Sequence, residues 1–424
     1  MRNHDIRYRQ YIRILQEELR PAMGCTEPIA IAYAAAKVRA VLGRLPERLL
    51  VQVSGNIIKN VKSVVVPHTG GLRGIGAAAA AGTVAGNADA ELEVLASVTE
   101  EQIAAMVAFL KNTPIEVQHA DTGHIFDIQI TAFAGSDSAF VRIVDYHTNV
   151  VSIQRNGETL LDQEIVTRES ELTDRSCLTI KGIVDFADSV DIEDVQEPLE
   201  RQIEYNMAIA EEGLRNSYGA NIGKTVLRGR ENDINYKMRA WAAAGSDARM
   251  NACEMPVVIN SGSGNQGITA SVPVIVYACE MEKSREELLR ALCVSNLVTI
   301  HLKTGIGRLS AYCGAVSAGC GAGAGIAYLK GGRFDMIAHT VMNAVAVDSG
   351  IVCDGAKASC AAKIASAVDA GLLGLAIYED GNQFFGGDGI VKCGVENTIA
   401  SVGRLARFGM EETDKEIIRL MMEN

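Results

Sequence analysis

No Cys-x-x-Cys pair occurs in this 424-residue chain although it carries 10 cysteines, which removes the zinc-finger and thioredoxin-type redox readings. Basic runs are missing as well. With a formal net charge of −12, neither a nucleic acid nor an anionic membrane surface is an expected partner. Aromatics make up only 5% of the chain, and its 7 histidines show no metal-ligand spacing. No Ser-x-x-Lys or Gly-x-Ser-x-Gly motif has a supporting context. A pyridoxal lysine stays open, though no Gly-rich phosphate cup stands beside a persuasive Lys. The polar start Met1-Arg2-Asn3-His4-Asp5 leads into an Arg-rich amphipathic stretch, so no signal peptide is expected. Ala311 to Leu329 carries no charge, yet its Gly, Ser, Cys and Ala content is too weakly apolar for a membrane span and predicts a buried helix and loop. A cytoplasmic protein without disulfides is the expectation.

What is present is a large globular composition, 48% hydrophobic and 22% charged, with 41 glycines that suit close helix packing and many turns. Apolar spacing predicts helices at Tyr8 to Glu18 and from Thr26, which can cap, through Pro28 and Tyr33 to Val41. Strand-like runs follow at Leu49–Val53 and Ser63–Val66, then an Ala-rich helix from Ile75 and another over Ile103–Leu110. Ile115–Gln118, Ile125–Ile130 and Phe140–Val144 alternate like strands, and Asn156-Gly157 suits a hairpin turn. Beyond Asp185 to Glu200 nearly every pattern is helical: Leu199–Leu214, Tyr236–Ala244, Thr269–Glu282, Arg285–Cys293, Met336–Ala346 and Lys357–Leu373. Thr413-Asp414 suits the cap of a last helix. The fold class is therefore α+β, a mixed α/β amino-terminal region plus an all-α carboxy-terminal domain. The expected division is 1–45 (helical, carrying Cys25), 46–190 (mixed α/β) and 191–424 (all-helical).

Three cysteines sit in small-residue settings: Gly319-Cys320-Gly321, Cys353-Asp354-Gly355 and Ser359-Cys360-Ala361. Three thiolates of this kind can ligate an iron–sulfur cluster and leave one iron open, and nearby glycine amides can hydrogen-bond its sulfides. Spacing alone favours buried core thiols instead. Ser359 can cap a helix that places Cys360 at the thiolate-favouring end of the dipole. Cys313 competes with Cys320 for the first ligand position, because two helical turns separate them and a helix would put both on one face. Cys177, Cys253, Cys279 and Cys293 lie among apolar neighbours and read as inert core thiols. Cys25 precedes a helix start, where amides and the dipole lower a thiol pKa; a small residue packed under a turn is the equal alternative.

Two glycine-rich turns complete the candidates. Asn260-Ser261-Gly262-Ser263-Gly264-Asn265-Gln266-Gly267 contains Gly-x-Gly-x-x-Gly, but no βαβ alternation surrounds it and Pro273 follows. A hydroxyl-rich helix start suits a small carboxylate better, with Ser261, Ser263 and Asn265 as contacts. Pro67-His68-Thr69-Gly70-Gly71 joins a strand to a helix; His68 is a candidate acid/base group and Thr69 a contact, with a plain connection equally open. Arg249 suits carboxylate binding, against solvation of a helix surface. His147 reads as part of a structural loop.

Taken together, Gly24-Cys25-Thr26-Glu27-Pro28, Ser54-Gly55-Asn56-Ile57-Ile58-Lys59-Asn60, Asp247-Ala248-Arg249-Met250, Ser261 to Gly267, Gly319-Cys320-Gly321, Cys353-Asp354-Gly355 and Ser359-Cys360 resemble the L-cysteine desulfidase family, relatives of the oxygen-sensitive L-serine dehydratases. The resemblance implies a serine dehydratase α-like helical domain and a [4Fe–4S] cluster on Cys320, Cys353 and Cys360. After a small shift of alignment Cys313 can fill the first position in place of Cys320. It implies Cys25 in catalysis and a small amino acid as substrate: a carbon–sulfur lyase turning L-cysteine into pyruvate, ammonia and hydrogen sulfide, or a carbon–oxygen lyase acting on L-serine. A homodimer is expected. Pro67-His68-Thr69 only partly matches the dehydratases' Ser-His-Thr loop.

Overall fold

The computed structural model describes residues 5–23, 26–165, 172–307 and 310–423; Cys25 lies outside the described residues. The chain is α+β, as its patterns predict, and divides into two compact units that are discontinuous in sequence. One comprises residues 24–170, 354–357 and 415–424, the other residues 1–23, 171–353 and 358–414. The serial division at 45 and 190 does not anticipate these returns of the chain.

In the first unit a six-stranded sheet has the order β3-β2-β4-β5-β6-β7, from β2 (Arg48–Val53), β3 (Ile115–His119), β4 (Asp127–Ala134), β5 (Asp137–Val144), β6 (Val150–Arg155) and β7 (Glu158–Asp162). β2 and β3 run parallel and every other pair antiparallel. Period-two alternation decides which face is buried: Leu49, Val51 and Val53 of β2 and Ile128, Ile130 and Ala132 of β4 are each 0% exposed. The Thr26–Leu42 and Ile75–Ala85 helices pack together, and the first lies on β4 and β5. Asn156 and Gly157, at φ 52 and 83, make the β6–β7 turn. One detail differs from expectation: Ser63–Val66 is no strand, since only Val65 bridges to Arg73. The motif stretch Gly55–Val61 forms a helix.

The second unit is helical apart from β1 (Pro21–Met23) paired antiparallel with β8 (Pro256–Val258). Its central helix is Gly314–Leu329, where every residue from Ala315 to Leu329 is buried. Small side chains along it admit the Gly264–Glu280, Arg285–Ile306, Phe334–Asp348 and Cys360–Glu379 helices at close range. Leu297, Ile300, Ile326, Val341 and Ile364 fill the gaps, each contributing about 1.5–3 kcal/mol by leaving water. The Arg285–Ile306 helix starts in a capping box between Ser284 and Glu287. The expected helix over Lys357–Leu373 begins at Cys360 instead. Of the expected core thiols, Cys253 and Cys293 are buried, Cys177 is half-buried and Cys279 is exposed. By length and composition Cys360–Glu379 could cross a membrane, but half of its most apolar window is buried inside the protein.

Candidate functional site

Three helix starts in the helical unit meet around Cys313. Tyr312 and Val352 form a single antiparallel bridge. Around it the Cys313 amide donates to the Ile351 carbonyl at 3.1 Å and the Cys353 amide to the Ala311 carbonyl at 2.5 Å. Both cysteines therefore leave the bridge on the same side, one residue past the pair. The neighbouring Cys353 thiol, with burial, raises the Cys313 pKa well above the ordinary thiol range, while Lys363 pulls the other way. Cys313 occupies the N-cap of the Gly314–Leu329 helix in extended backbone, ψ 123.

Cys360 opens the Cys360–Glu379 helix. Ser359 takes the cap position but makes no side-chain cap bond, so amides at this helix start are not claimed by its hydroxyl. One turn on, Lys363 Nζ donates to the Val352 carbonyl at 2.9 Å, which ties this helix start to the residue before Cys353. Cys320 is placed differently. It lies mid-helix, 1% exposed, and burial raises its thiol pKa, with Asp348 adding to the effect. Being outside the helix, Cys313 does not share a helical face with it in the way that their spacing predicts.

The Gly-rich turn comes to the same place. Ser263 caps the Gly264–Glu280 helix by accepting from the Gln266 amide at 3.4 Å, and the Gln266 side chain lies against Gly314, the residue after Cys313. Ser261 holds a left-handed backbone, φ 50, and its hydroxyl donates to Asn260 Oδ1 at 2.8 Å. Behind it a buried amide set fixes the turn: Asn260 Nδ2 donates to Asn296 Oδ1 at 2.9 Å, Gln202 Nε2 to the same oxygen at 3.0 Å, and Asn296 Nδ2 to Gln202 Oε1 at 2.7 Å. Such satisfied networks specify one geometry. Arg249 Nη1 reaches Asn265 Oδ1 at 3.4 Å. On its helix, Asp247 is buried and accepts from the Gly223 amide at 2.9 Å, and burial lifts its carboxyl pKa to about 6.

Thr69 and His68 belong to the sheet unit. The Thr69 hydroxyl donates to the Val66 carbonyl at 2.7 Å and is buried, so it shapes its own turn. His68 is exposed with φ 56. In the same unit His147 packs on Phe126, ring centroids 4.7 Å apart. Burial lowers its pKa, and Glu27 partly offsets that; this agrees with a structural loop.

Among the described residues no three His, Cys, Asp or Glu side chains stand close enough to hold a metal ion. The chemistry of the donor set is that of an iron–sulfur group: two thiols leaving one bridge on the same side, a third at a helix start, and a cation one turn on from it. A surface concavity bordered by Lys283, Glu287, Arg290, Lys330 and Arg333 lies at the other end of the Gly314–Leu329 helix, away from these thiols. Gln266, which stands inside the quoted motif, is not among the contacts expected from the sequence, yet its side chain lies against the residue after Cys313.

Comparison with known proteins gives one consistent answer. A family model described as serine dehydratase alpha chain matches residues 89–419. A UPF0597 protein of Desulfitobacterium hafniense is 58% identical over 423 residues, covering 100% of this chain and 98% of the relative. One from Lachnoclostridium phytofermentans is 51% identical, covering 98% and 100%, and one from Treponema denticola 48%, covering 99% of each.

Proposed function

From its membership of the serine dehydratase alpha chain family, to which this chain belongs, we propose an iron–sulfur lyase that eliminates a β-substituent from a small α-amino acid. L-cysteine is the substrate we put first, giving pyruvate, ammonia and hydrogen sulfide with the uptake of one water. The motifs shared with L-cysteine desulfidases support that choice. L-serine is the second reading, favoured by the description of the matching family.

The observation that carries the proposal is the bridge that brings Cys313 and Cys353 out on one side, tied through Lys363 to the Cys360 helix start. We take Cys313, Cys353 and Cys360 as the residues that would hold a [4Fe–4S] cluster, with Cys313 in the place first expected for Cys320. When bound, the cluster supplies a Lewis-acidic iron with an open position. The protein supplies the rest. Lys363 and the amides at the helix starts favour thiolate on the ligands. Ser261, Ser263 and Asn265 would bind the substrate carboxylate at the start of the Gly264–Glu280 helix, with Arg249 holding Asn265. Cys25, by its motif, would take the α-proton, with His68 as a further acid/base candidate.

The test is anaerobic reconstitution with iron and sulfide, followed by pyruvate and sulfide measurements on L-cysteine and L-serine side by side. Pyruvate from either supports the lyase, and the faster substrate decides between the readings. A cluster-loaded protein that makes pyruvate from neither ends the proposal.

A further inference from the structure

Gln266 is only 7% exposed, and among the described residues its Oε1 accepts no hydrogen bond. A buried amide oxygen without a donor is unfavourable, so proteins retain few of them. Its position is equally specific. A Cβ built on Gly314 would stand 2.6 Å from the Gln266 carboxamide carbon and 2.9 Å from Oε1. A side chain at 314 would therefore collide with the carboxamide, which lies beside the residue that follows Cys313. One helical turn along the same face, the buried Ser317 hydroxyl also has no partner among the described residues. Ser263 caps the same helix start through the Gln266 amide, and the Ser261 hydroxyl stands in the turn just before it, at a helix start suited to an anion.

A carboxylate subsite with an unpaired acceptor next to it has the polarity of an α-amino acid: anion against the helix amides, cation against an oxygen. We propose that Gln266 is a substrate-positioning residue whose Oε1 accepts a hydrogen bond from the α-ammonium group, so that the site selects α-amino acids over carboxylic acids lacking that group. This rests on the lyase reading and deepens it, since the ammonium contact fixes the Cα that must lose its proton. It also predicts that selectivity for the amino group resides in a residue that holds neither the leaving group nor the cofactor.

Calorimetric binding of L-alanine and of propionate, neither of which carries a leaving group, to the anaerobically loaded full chain is the test. The wild type should prefer L-alanine by roughly ten- to a hundredfold, the range expected of a hydrogen bond to a charged group. Gln266→Met should bring that ratio close to one while propionate binds as before. Gln266→Glu, which keeps an acceptor oxygen, should preserve the ratio. Should Gln266→Met fail to fold, Gly314→Ala tests the same point, because its methyl displaces the carboxamide while alanine suits the helix. A wild type that binds both ligands equally, or a ratio unchanged in the folded variants, overturns the proposal. A Gln266-dependent ratio in a loaded protein that releases no pyruvate would leave this inference standing and defeat the lyase reading alone. Turnover with an unchanged ratio would do the reverse.

Discussion

Cys313 and Cys353 leave the same side of a bridge made by their neighbours Tyr312 and Val352. This pairing, and not the helical spacing of Cys313 and Cys320, decides which thiols can act together.

Iron and acid-labile sulfide should therefore separate the cysteines. Anaerobically reconstituted Cys313→Ala, Cys353→Ala and Cys360→Ala should each lose most of their iron. Cys320→Ala should keep it, and should melt earlier by an amount worth about 1 kcal/mol for the lost buried sulfur. Iron loss in Cys320→Ala with full retention in Cys313→Ala would reverse the assignment.

Between Cys353 and Cys360 the chain makes a close approach to Lys59. Gly355 has φ 93, and a Cβ there would stand 1.8 Å from the Lys59 carbonyl oxygen, which accepts from the Ala356 amide at 3.1 Å. Gly355→Ala should cost about 1–3 kcal/mol from the left-handed backbone, plus the loss of that hydrogen bond. The melting temperature should fall and iron retention with it, as the spacing of the two flanking thiols changes. Unaltered melting and iron content would show that Lys59 does not hold this segment.

How much of this was legible in the sequence follows from which interactions are local. The capped helix from Arg285 and the Asn156-Gly157 hairpin were readable because cap and turn chemistry acts over a few residues. The helix expected from Lys357 starts at Cys360, because the tie of Ala356 to Lys59, almost three hundred positions away, keeps the residues just after Ala356 out of the helix. The Tyr312–Val352 bridge that brings Cys313 and Cys353 out on one side likewise joins distant segments, which periodicity does not encode. Ser63–Val66 has the apolar content of a strand, but only Val65 forms a bridge, and that is to Arg73 in the turn that follows.

The sheet unit offers a control that should leave the thiols unaffected. Arg142 Nε and Nη2 donate to the two Asp127 oxygens at 3.1 and 2.7 Å, and the Asp127 side chain is 0% exposed. Thr122 also donates to that carboxylate, at 2.6 Å. Arg142→Ala strands a buried charge and should cost about 3–5 kcal/mol, nearer the lower figure because Thr122 remains. The double variant Asp127→Asn with Arg142→Met should recover part of the loss. A drop below about 1 kcal/mol in denaturant titration would mean that water reaches the carboxylate.

Asp247 makes stability depend on pH in a direction that can be worked out. Burial raises its folded-state pKa from 3.8 to about 6, against the lowering effect of the Gly223 and Ile222 amides. Between those two values the folded protein binds more protons at this site than the unfolded chain does, so stability falls as pH rises. The contribution is complete below about pH 4, fades through pH 6 and is constant above it, with a total of at most about 3 kcal/mol. Other carboxylates slope the opposite way, so the useful quantity is the difference between wild type and Asp247→Asn. The asparagine keeps an acceptor for the Gly223 amide and does not ionise. Its stability relative to wild type should grow between pH 4 and 6 in urea titrations and stay level from pH 7 upward. A difference that does not change with pH would mean that the carboxylate is solvated in the folded protein.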